Sequence, residues 1–69
     1  MNNHMADVAA MFGKDLREAF AVKDYFDGTV TMIRLTEDGA EFYLPSREIW
    51  IGSVGLLVDL VLGEVEVLE

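Results

Sequence analysis

No cysteine occurs in this chain, and its single histidine, His4, stands close to the N-terminus. These shortages remove disulfides and leave too few ligands for a zinc site, which takes about four nitrogen or sulfur donors. At 69 residues the chain is one small domain with a limited core, so apolar packing or oligomerisation has to supply the stability that staples would otherwise add. Long hydrophobic runs are missing as well. The longest, residues 49–63, is broken by Asp59 and three glycines and falls short of the roughly 18 apolar residues that span a bilayer. Residues 1–10 lack the basic start and apolar stretch of a signal peptide, so a cytoplasmic location is expected.

Positive charge is the scarcest property. Five basic residues face thirteen acidic ones, for a net charge of −8. The first 23 residues balance Asp7, Asp15 and Glu18 against Lys14, Arg17 and Lys23, so the whole excess belongs to residues 24–69, and no base follows Arg47. A field of this sign repels nucleic acid and anionic membranes and steers the chain toward basic surfaces. Acidity also keeps an apolar-rich small protein dissolved. Apolar residues make up 52% of the chain, with four Phe, two Tyr and one Trp, which supplies core material and argues against disorder.

Met5, Val8, Ala9, Phe12, Leu16, Ala19, Phe20 and Lys23 follow helical spacing and predict one amphipathic helix over residues 5–23. Asn2 or Asn3 would cap it, Asp7 would favour its first turn and Lys23 its last. Gly13 would sit in its interior, at a cost or with a kink. An Asp-Gly turn within residues 24–28 then leads into a strand over residues 29–35, and the loop 36–39 returns the chain through a strand over residues 40–44. That second strand sets Phe42 and Leu44 on one face and Glu41 and Tyr43 on the other. Pro45 ends it. Ile49, Trp50 and Ile51 form a short third strand. Residues 53–63 read either as a helix capped by Ser53 and stopped by Gly63 or as a buried strand, and the agreement of the two caps favours the helix. Residues 64–68 alternate as a final strand with Val65 and Val67 inward. The predicted fold is α+β: the N-terminal helix packed on a small antiparallel sheet, with a second, short helix.

Catalytic and ligand-binding patterns fail on their own terms. Residues 51–55 approach a nucleophile elbow, but Ile51 stands where G-x-S-x-G needs glycine, and Ser53 is better read as a helix cap. The segments around Asp24–Asp27 and Glu37–Asp38 lack the alternating ligands of a calcium loop. No Gly-rich phosphate cradle is present, and the four methionines have no copper-site spacing. No enzyme activity, metal or cofactor is expected. The remaining candidate is charge-driven binding. Glu64 and Glu66 on one strand face would hold carboxylates about 6–7 Å apart, comparable to successive phosphates. Adding Asp24, Asp27, Glu37, Asp38, Glu41 and Glu69 yields an expected anionic partner-binding surface. Leu56, Leu57, Val58, Leu60, Val61 and Leu62 with Trp50 offer more apolar surface than one helix face requires, so a homodimer is possible, although a monomer is favoured.

The run Asp24-Tyr25-Phe26-Asp27-Gly28-Thr29-Val30-Thr31-Met32, the acidic tip Glu37-Asp38-Gly39 and Arg47-Glu48-Ile49-Trp50, in so short and acidic a chain, resemble the small phage-encoded anti-CRISPR proteins, in particular inhibitors of type I-C systems. The resemblance implies a bacterial host cytoplasm and a CRISPR-Cas surveillance complex as partner. It implies that acidic residues occupy the basic channel meant for target DNA, as a DNA mimic would. An antitoxin-like or regulatory protein that neutralises a basic protein partner is the alternative, as is a structural homodimer.

Overall fold

The structure, a computed structural model, describes residues 4–68. In chain order it comprises α1 (Met5–Met11), β1 (Phe20–Asp24), β2 (Val30–Thr36), β3 (Gly39–Leu44), β4 (Ile49–Gly52), α2 (Val54–Leu62) and β5 (Val65–Val67). The architecture is α+β, as the sequence predicts. All strand pairs are antiparallel, in the spatial order β4-β3-β2-β1-β5. The first four strands form a meander, after which α2 carries the chain back across the sheet so that β5 joins the far edge beside β1. Four inter-strand gaps of about 4.8 Å make roughly 19 Å to cross. Nine helical residues supply about 13.5 Å of that distance and the flanking links the rest.

Strand registers place Phe20, Val22, Ile33, Leu35, Ala40, Phe42, Val65 and Val67 on one face of the sheet. Ile33 and Leu35 are fully buried there, packed with Ala9 of α1 and Leu60 of α2 in a single core. Both helices therefore cover the same face. The opposite face carries Val30, Met32, Arg34, Glu41, Tyr43 and Trp50, and neither α1 nor α2 lies over it.

The long first helix is not formed. It stops at Met11, and Phe20–Asp24, expected as its last turn, is the strand between β2 and β5. The backbone reason is Gly13, which has φ +71. Its N–H donates to the Ala10 carbonyl and the Lys14 N–H to the Ala9 carbonyl, both at 3.0 Å, the bonding of a Schellman stop. Phe20 and Val22 are buried with Ala21 half-buried between them, and two neighbouring ladders outweigh the helical spacing. Lys23 consequently faces Glu66 across the β1–β5 ladder instead of a helix C-terminus. Asp7 does lie in the first turn of α1, but His4 occupies the cap position and contributes no side-chain cap bond. Asn2 and Asn3 lie outside the described residues.

The second helix follows the caps. Ser53 Oγ accepts from the Leu56 N–H at 3.2 Å, and Gly63, with φ +78, closes a second Schellman stop through Gly63 N–H to Leu60 O and Glu64 N–H to Asp59 O. The β2–β3 connection is tighter than the four-residue loop expected, because Thr36 and Gly39 pair and only Glu37 and Asp38 turn.

Gly13 separates the two readings of the N-terminal segment by sign. Within a long helix, Gly13→Ala would stabilise the protein by about 1 kcal/mol. At the observed positive φ, with no neighbour within 4 Å of an added Cβ, the same change destabilises it by about 1–2 kcal/mol; urea unfolding measures which. Ile33→Ala, which empties a fully buried site, costs about 2–5 kcal/mol, enough to depress the melting temperature of so small a domain severely.

Candidate partner-binding surface

The predicted acidic residues do not form one face. Because β1–β4 is a meander, the β1–β2 turn and the β3–β4 loop lie at one end of the sheet, and β5 begins there too, since Val65 pairs with Asp24. Asp24, Asp27 and Glu64 are thereby brought together. Glu37 and Asp38 turn at the other end. Glu41 and Glu66 lie on the open face, on β3 and β5, with β2 and β1 between them. Glu69 lies outside the described residues. Glu64 is not in the strand with Glu66: its N–H completes the α2 stop, and β5 starts one residue later. The expected pair of carboxylates along one strand is therefore absent.

Hydrogen bonding sorts these acids further. Glu37 is clamped by Arg17, whose Nη1 and Nη2 donate to its two carboxylate oxygens at 2.7 and 2.6 Å. The Arg17 N–H also donates to the Leu35 carbonyl at 2.7 Å, so the pair fastens the α1–β1 connection to the β2–β3 hairpin. Arg17 holds φ +65 to do so, a conformation uncommon for a residue with a side chain. Glu41 accepts from Arg34 Nε at 2.7 Å, and both side chains are about three-quarters covered. The Arg34 guanidinium also lies over the Trp50 ring at 4.4 Å, and Tyr43 meets Trp50 at 5.2 Å between centroids. Cation–π stacking and the ion pair close this network on itself. Glu37 and Glu41 thus have intramolecular cations and are poor candidates for a partner's.

Asp24 and Asp27 are used differently. Asp24 Oδ1 accepts from the Phe26 N–H at 2.7 Å, and Asp27 Oδ1 from the Thr29 N–H at 2.8 Å. Amide donors order the turn without cancelling its charge. Gly28 N–H to Asp24 O and Asp24 N–H to Thr29 O, each 2.9 Å, complete it. This turn presents two side chains that the acidic-residue count overlooks: Tyr25 is 62% and Phe26 88% exposed. Their signal in the sequence is two aromatics enclosed by two aspartates inside a turn. The same sheet end holds Asp24, Asp27, Glu48 and Glu64 against only Lys23 and Arg47. Glu64 and Glu48 form no ion pair among the described residues.

No group of three metal-ligating side chains occurs among the described residues, nor is any described helix long and apolar enough to cross a membrane. A cleft of about 170 Å³ lies between the β2–β3 turn and the start of α2, lined by Asp38, Glu41, Ser53, Val54 and Leu57 among others. Ligand pockets run from about 300 Å³ upward.

Two carboxyls carry a pH dependence. The Thr29 backbone N–H, with help from its hydroxyl, holds Asp27 below its ordinary 3.8, and the Arg17 hydrogen bonds hold Glu37 below its ordinary 4.5. Both folded values are depressed, so both contributions are complete above those ordinary values and disappear as pH falls through the lowered ones. Melting temperature should therefore drop on acidification below about pH 4.5. Asp27→Asn and Glu37→Gln together should flatten the decline, and an unchanged slope in the double variant would reject this assignment. No family model matches the chain, and neither a curated protein nor a solved structure does.

Proposed function

We propose that this protein is a stoichiometric binding protein whose acidic sheet end docks on a basic protein or ribonucleoprotein surface that ordinarily holds nucleic acid. The observation that carries the reading is the pairing, at one end of the sheet, of Asp24, Asp27 and Glu64, none of them in an ion pair among the described residues, with the exposed Tyr25 and Phe26. Acids accelerate and orient encounter with a cationic surface. Exposed aromatics in a hydrogen-bonded turn supply the apolar contact on which tight interfaces concentrate their energy, at little ordering cost. Phe26 contributes almost nothing to the core, so the fold by itself gives no reason for a phenylalanine there.

The resemblance to type I-C anti-CRISPR proteins makes the surveillance complex the partner to try first. In that reading the chain lies in the DNA channel and engages the lysines and arginines meant for phosphates. It performs no catalytic step; Ser53 is committed to capping α2 and His4 stands exposed beside Asp7. Direct nucleic-acid binding is opposed by the net charge of −8.

The test is to incubate the protein with purified type I-C surveillance complex and measure target-DNA binding. The expected result is loss of DNA binding, relieved by salt. Undiminished DNA binding together with undiminished nuclease recruitment would remove the proposal. Phe26→Ala should weaken binding to the complex about tenfold or more without moving the melting temperature. Glu64→Lys should weaken it as well, and Glu66→Lys, on the open face opposite Lys23, by less.

A further inference from the structure

The outer side of α2 takes no part in the acidic sheet end, and it is apolar. At about 100° per residue, Leu56, Leu57 and Leu60 point to the core, whereas Val61, Val54, Val58 and Leu62 fall within an arc of about 100° on the far side. These four are 57%, 80%, 46% and 68% exposed, respectively. Asp59, the helix's only charged residue, and Gly55 border the arc. Single exposed aliphatics are ordinary on protein surfaces. Four adjacent ones on nine residues are not, and valine is a poorer helix former than the lysine, glutamate or alanine that would serve an exposed position. In a monomer, Val54, Val58 and Val61 weaken α2 and leave about half or more of each side chain's surface in water.

We infer that this arc is the interface of a homodimer in which two copies of α2 pack about a two-fold axis. The charge pattern selects the occupant. A symmetric contact sets each patch against its own kind, so in a chain of net charge −8 only a face without acids can meet itself without repulsion. The α2 arc holds no charged side chain. A basic partner would find no anion on it, and an anionic membrane would meet a helix with no lysine or arginine for its headgroups. Val58 lies midway between Val54 and Leu62, so antiparallel packing brings Val58 to the axis and Val54 against the partner's Leu62. Asp59 then stays at the rim, in water. Standard interfaces use about 20–30 residues a side, so this smaller one gives a concentration-dependent dimer. The sequence-based expectation of a monomer gives way, in this inference, because the surplus aliphatics of residues 54–62 are not absorbed by the core.

Sedimentation equilibrium on the full chain, over a concentration series reaching about 1 mM, tests this. The expected result is a monomer–dimer equilibrium that tightens as salt rises, since salt screens the repulsion between two acidic copies. Val58→Glu and Val54→Glu should each raise the dissociation constant about tenfold or more while keeping the helical circular dichroism. Val54 is the first residue of α2, where an acid suits the helix dipole, so the second variant folds even if the first does not. Phe26→Ala should leave the equilibrium unchanged. A monomer at every concentration, or a dimer unaffected by both glutamate variants, would overturn the inference.

Discussion

Among the described residues, seven of α1 and nine of α2 are all the helix available to keep water from one face of a five-stranded sheet. Most other features follow from that constraint. The best-covered position is the middle of the sheet, where Ile33 and Leu35 lie under Ala9 and Leu60 with no exposure. Helix α2 has to reach from the β4 edge toward the β5 edge and so cannot be shorter. Because it must also fill the space above Ala40 and Val65, its inner side is leucine. Coverage fades toward the β4 edge, where Ile49 remains 43% exposed.

The face without helices solves the same problem with side chains alone. Arg34 is held between Glu41 and the Trp50 ring, and Tyr43 leans on that ring in turn. The aliphatic and aromatic parts shield each other, while the charges neutralise locally. This has a consequence for electrostatics. Of the five bases in the chain, Arg17 and Arg34 are spent on Glu37 and Glu41, and Lys14 lies 3.9 Å from Glu18. Net charge therefore overstates how many acids a partner can reach, and Asp24, Asp27, Glu48 and Glu64, which have no ion pair among the described residues, share the end where Tyr25 and Phe26 project.

An acidic, aromatic sheet end and an uncharged helix face are different kinds of surface, and physical chemistry separates their behaviour. Coulombic attraction to a basic partner weakens with ionic strength, whereas apolar contact between like-charged copies gains from it. If both operate, each dimer presents two acidic ends, and a partner with repeated basic sites would be held by both at once.

Within the sequence, the elements with local signatures were legible. Ser53 and Gly63 bracket α2 at the observed residues, the turn residues around Gly39 mark the β2–β3 hairpin, and the alternation after Glu64 announces β5. Phe42 and Tyr43 were assignable to opposite faces for the same reason: a period of two is a property of the strand itself. What residues 12–24 would become was not legible. Their apolar spacing suits a helix, yet Gly13 terminates α1, and Phe20–Asp24 gains two ladders by lying between β2 and β5, partners more than five residues away that local spacing cannot register. Charge behaved likewise. Composition determined that the chain would be acidic and short of cations, but the clamping of Glu37 and Glu41, the displacement of Glu64 from the final strand and the outward projection of Tyr25 and Phe26 were decided by the tertiary structure, because ion pairing and exposure depend on which residues the meander and the returning helix bring together.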